Sequence, residues 1–148
     1  MIGPLDFNIL QALVSGYAIW RGGAPERWAG VLLALAAAAT WLAYAYTPDA
    51  MRFRSVEAWV LVVDLALTAA LWLLALRSNR IWPMLITALQ FVSTLVHISK
   101  AIDLGMSPFA YYFLLKFSGY PILLALALGT ARHDARLRRF GVDMPWAA

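Results

Sequence analysis

Residues Ile81 to Lys100 read IWPMLITALQFVSTLVHISK, a stretch long enough to cross a bilayer as a helix yet polar along one side. At about 100° per residue, Thr87, Gln90, Ser93, Thr94, His97 and Lys100 fall within an arc of roughly 140°. Leu85, Ala88, Phe91, Val92, Leu95 and Ile98 cover the rest. Lipid cannot satisfy amide, hydroxyl or imidazole groups, so the polar arc must face other helices or a wet cavity.

The whole chain shares this apolar character. Of its 148 residues 63% are hydrophobic and 14% charged, and the mean hydropathy of +0.71 lies outside the range of soluble domains. The composition is that of an integral membrane protein. The absence of cysteine excludes disulfides, thiolate metal sites and cysteine nucleophiles. Ten of the twelve basic residues are Arg, and Ala and Leu dominate the apolar set, a bacterial bias. The start, MIGPLDFNIL, lacks a positive n-region and carries Asp6, so it does not read as a cleavable signal peptide.

Five apolar runs predict an all-α bundle of five transmembrane helices over residues 5–20, 28–46, 56–75, 81–100 and 109–130, with residues 132–148 as a basic tail. The first run rises only about 24 Å against a hydrocarbon core near 30 Å, so a four-helix membrane bundle is the alternative. RGGAPER reads as a polar loop, and RSNR as a link short enough to make the third and fourth helices antiparallel neighbours. Ala34/Ala38 and Ala39/Ala43 offer small residues at i, i+4 for close helix packing. Thr47-Pro48-Asp49 ends the second run, and Gly119-Tyr120-Pro121 predicts a kink in the fifth.

Eight Lys and Arg residues flank the spans on the side of RGGAPER, RSNR and the tail, against three on the other side, Arg52, Arg54 and Lys100. The positive-inside rule then expects a cytoplasmic C-terminus and an outer N-terminus.

Candidate chemistry lies within the spans. Asp64 and Lys116 each fall about 11 to 12 Å below the outer end of helices running in the same direction, a matched depth that predicts an intramembrane ion pair. Either charge alone costs roughly 2.5 to 3.5 kcal/mol to insert near a helix centre. His97 and Gln90 bracket that level, which gives an intramembrane polar cluster of Asp64, Lys116, His97, Gln90, Thr94 and Lys100. The cluster admits three roles: an ionic lock between helices, a proton-responsive or ion-binding cavity open to the outer side, or a site for a ligand or lipid head group.

No GxSxG, HExxH, P-loop or GxGxxG motif is present, so an enzyme is not the expectation and no catalytic residue is assigned. His97 and His133 fall toward opposite ends of the bundle, which leaves no pair of axial haem ligands, and His97, Lys100 and Asp103 make a poor metal set. Arg132 and Arg136 stand about a turn apart if the last helix continues, and Arg138 and Arg139 follow within the next turn; such juxtamembrane residues contact anionic lipid heads rather than nucleic acid.

WRGGAPERW at Trp20 to Trp28, the Asp64 helix, RIWP with HxxK in the fourth span, and GTARHDARLRRFG together resemble small multi-pass bacterial inner-membrane proteins with no known activity. The resemblance implies one membrane unit and brings with it no cofactor or site residue. The expected function is binding, as an accessory subunit or homo-oligomer of a membrane assembly. The alternative is a proton- or ion-coupled transporter or channel using Asp64, His97 and Lys116.

Overall fold

The computed structural model describes residues 4–46, 57–103, 105–143 and 145. It is all-helical, with α1 at Pro4–Arg21, α2 at Ala24–Tyr46, α3 at Glu57–Arg77, α4 at Ile81–Ile102 and α5 at Pro108–Phe140. Among the described residues there is no strand. The expected stop at Thr47-Pro48-Asp49, the loop through Arg52 and Arg54, and the start of the third run at Val56 lie outside the described residues.

Two helices are longer than the sequence suggests. α2 begins four residues earlier than expected, so only Gly22 and Gly23 remain of the RGGAPER loop. Pro25 stands in the first turn, where a missing donor breaks nothing, and Glu26 in that turn complements the helix dipole. α5 continues unbroken through Pro121 and on to Phe140, taking up the arginines assigned to a tail. The extension is held by an Asp134–Arg138 ion pair one turn apart, at 2.9 Å. Thirty-three residues rise about 50 Å, so α5 must project beyond a 30 Å hydrocarbon layer.

The helices form a closed ring in which each packs on its sequence neighbours and α5 returns to α1. Leu33, Leu67, Leu71, Ile86, Ile122 and Leu126 fill its interior. α1 and α2 approach closely at Gly30, where an added Cβ would lie 2.9 Å from the Ser15 carbonyl oxygen. The small residues that permit this contact are therefore Ala29 and Gly30, both buried, whereas Ala34 and Ala38 face outward. Polar side chains tie the ring where apolar attraction is weak. Gln11 Nε2 donates to the Leu33 carbonyl at 2.9 Å, Thr87 Oγ1 to the Leu71 carbonyl at 3.0 Å, and the Thr68 and Thr94 hydroxyls meet at 2.8 Å.

Outward-facing surfaces are rich in large apolar side chains, among them Trp41, Trp72, Ile81, Phe109 and Phe117. Water would not tolerate so continuous an apolar surface. α2, α3, α4 and α5 are long and apolar enough to span a membrane; α1 is not among them. The chain is thus a membrane-type helical bundle, with four such helices and a shorter fifth completing the ring.

Candidate functional site

The polar arc of α4 points into the ring. Thr87, Gln90, Thr94 and His97 are buried, while Leu85, Ala88, Phe91, Val92 and Leu95 are exposed. In the half of the bundle where α1, α3 and α5 begin, the interior opens into a cavity of about 330 Å³ walled by all five helices. Asn8, Gln11, Thr40, Asp64, Gln90, Ser93, His97 and Tyr111 are among its polar lining.

Its centre is a hydrogen-bonded line across three helices. His97 Nε2 lies 3.1 Å from Asp64 Oδ2, and His97 Nδ1 lies 2.7 Å from the Tyr111 hydroxyl. Ser93, one turn before His97, donates to the same Asp64 oxygen at 3.4 Å. A neutral imidazole satisfies the whole line: the Tyr111 hydroxyl donates to Nδ1, and Nε2–H donates to the carboxylate. The rings of His97 and Tyr111 also meet edge to face at 5.5 Å.

The expected pairing of Asp64 with Lys116 is replaced by this one. Lys116 is on the exposed face of α5 and does not line the cavity, whereas Tyr111, Leu115 and Ile122 do. Five residues beyond Tyr111, Lys116 is rotated by about 140°, so equal depth does not bring it to Asp64. Lys100 does not line the cavity either; its Nζ donates to the Met106 carbonyl at 3.1 Å in the α4–α5 loop. Gln90 lines the cavity, and Thr94 bonds Thr68 and the Gln90 carbonyl at its margin.

A charged network occupies the opposite end. Glu26, fully buried, receives Arg80 at 3.1 Å, and the other Arg80 nitrogen donates to Asp143 Oδ2 at 2.5 Å. Arg136 Nε donates to Asp143 Oδ1 at 2.6 Å, and His133 bonds Asp143 from the same helix. Gly141, in the left-handed conformation with φ 71°, caps α5 and turns the chain so that Asp143 returns to these partners. Burial pushes the Asp143 carboxyl up, but hydrogen bonds from Arg136, Arg80 and His133 outweigh it and hold the group well below the usual carboxylate range. Gly23 admits the network: a Cβ there would meet His133 Cε1 at 2.8 Å and Glu26 Oε2 at 3.0 Å. Beside it lies a second cavity of about 790 Å³, bordered by Arg80, Trp82, Leu128, Arg132 and Arg136. Arg138 pairs with Asp134, and Arg139 is exposed.

Comparison with protein-family models, curated proteins and solved structures finds no match. The geometry of this chain alone therefore carries the functional reading. Several partners in that geometry escaped the sequence, Tyr111, Glu26 and Asp143 among them. Tyr111 had a signal in its phase, since Leu115, Ile122 and Leu126 mark one apolar face with it. Glu26 had none, being a charged residue in what read as a loop.

Proposed function

We propose that this chain is a non-catalytic integral membrane protein that acts by binding, with the cavity at Asp64, His97 and Tyr111 as its ligand site. The observation that carries the reading is a polar line set in the wall of a cavity that all five helices share. Toward the other end Ala18, Ala29, Leu71, Ile86 and Leu126 are packed without exposure or nearly so, which favours a one-sided pocket over a conduction path. In this reading the protein resides in a bacterial inner membrane as an accessory subunit or homo-oligomer. Its arginine-rich end is cytoplasmic and its N-terminus outside, by the charge asymmetry of the flanking segments. Its cavity then opens outward, and Arg132, Arg138 and Arg139 meet anionic lipid head groups.

Native mass spectrometry of the protein released from nanodiscs made with its own lipids tests this. A small molecule retained by the folded chain and absent from Ser93→Phe, which fills the cavity, is the expected result. A folded chain carrying only lipid, with Ser93→Phe identical to it, overturns the reading.

Proton-coupled transport is a second reading, favoured by one observation: Tyr111, His97 and Asp64 place three exchangeable groups in line. It requires uptake into proteoliposomes driven by a pH gradient and abolished in His97→Gln.

A further inference from the structure

The cavity has an unusual charge balance. Among its described lining residues Asp64 is the one carboxylate, and neither Lys nor Arg is present. Its Oδ2 takes both protein donors, from His97 and Ser93. Oδ1 takes a hydrogen bond from no described residue, although the side chain is only 15% exposed. The pocket's one described carboxylate thus keeps an oxygen that has no donor among the described residues, in a low-dielectric setting.

Aromatic residues share the walls of the cavity with aliphatic ones. Phe7, Trp41, Tyr44, Tyr111 and Tyr112 come from three helices to line the same space. Aromatic faces carry the negative part of the ring quadrupole and attract cations, most strongly when water is excluded. Gln11 donates its amide to the Leu33 carbonyl, so its own oxygen remains an acceptor. An anion would meet a carboxylate and aromatic residues, with neither Lys nor Arg among the described lining. A neutral apolar molecule would offer Asp64 Oδ1 no donor.

We infer that the cavity takes a small organic cation, an amine or quaternary ammonium, held by Asp64 and flanked by aromatic rings. The inference rests on the binding function proposed above and specifies its ligand class. The volume of about 330 Å³ accommodates a cation of about ten to twelve heavy atoms, at roughly 20 Å³ for each of them. Asp64 supplies the charge, and the Ser93 and His97 contacts fix its orientation.

Three probes of similar size test the inference: benzyltrimethylammonium, its neutral carbon isostere neopentylbenzene, and the anion phenylacetate. Saturable quenching of tryptophan emission is followed in nanodiscs, with empty nanodiscs as the reference for partitioning. The cation is expected to bind at least ~10-fold more tightly than either other probe. Asp64→Asn should abolish that preference, and Tyr112→Leu, at the exposed rim, should weaken the cation several-fold while leaving the isostere unchanged. The wild-type comparison stands even where a variant fails to fold. Binding of the isostere or phenylacetate as tight as that of the cation overturns the cation inference and leaves the binding function intact. Absence of saturable binding by all three overturns both.

Discussion

His97 and Asp64 stand 3.1 Å apart, Nε2 to Oδ2, on neighbouring helices that cross at the cavity wall. The imidazole therefore acts as a spacer between a carboxylate on α3 and a phenol on α5, and it fixes how these helices are rotated about their axes.

Coupling energies distinguish this pair from the one suggested by depth. Asp64→Asn and His97→Gln are expected to be non-additive by about 0.5 to 3 kcal/mol, whereas Asp64→Asn and Lys116→Met should add to within about 0.5 kcal/mol. Double-mutant cycles of unfolding in bicelles measure both. A strong Asp64–Lys116 coupling would contradict the geometry.

The Thr68–Thr94 contact joins α3 and α4 inside the ring at 2.8 Å. Thr68→Val should cost about 0.6 kcal/mol, and no more than about 1.7, because the unfolded chain in the membrane also finds partners for a hydroxyl. The same unfolding assay reads the loss.

At Gly30 the constraint is steric. A larger side chain there must push the α1 backbone at Ser15 away, so Gly30→Leu should destabilise the α1–α2 hairpin by about 1 to 3 kcal/mol. Proteolysis between α1 and α2 should speed up correspondingly, and unchanged cleavage would show that the helices are not in close contact.

Acid should loosen the end that carries Asp143. Its carboxyl is held below the unfolded value of about 3.9, so its contribution is present above about pH 4 and fades as the pH falls toward the folded value. The stability difference between the wild type and Asp143→Asn should accordingly be constant near neutrality and shrink below about pH 4. Unfolding midpoints across an acid series check the sign. A difference that grows in acid would be incompatible with the Arg80, Arg136 and His133 bonds.

The inward face of α4 was legible in the sequence because its polar residues recur with the helical period, so one periodic signal fixed both helix and orientation. Asp64 drew attention for a similar reason, being a charge within an apolar run. Its partner was not legible: depth is a single coordinate, and the azimuth of Lys116 depends on how α5 is rotated. The Arg80–Asp143 contact spans 63 residues and depends on a left-handed turn at Gly141, so no local pattern announces it. The true lengths of α2 and α5 were hidden by the polar residues at their ends, which read as loop and tail.

α5 carries Tyr111 at the cavity and His133 at the charged network, separated by some 33 Å of helical rise. The two regions thus share one rod. A movement of α5 at Tyr111 would be carried along the same helix that bears His133 and Arg136, the two residues of α5 that hold Asp143. Pro121, which has no backbone N–H to donate, leaves one gap in the hydrogen-bond ladder between Tyr111 and His133. The stiffness of α5 at that gap would set how far a movement at one end of the bundle reaches the other.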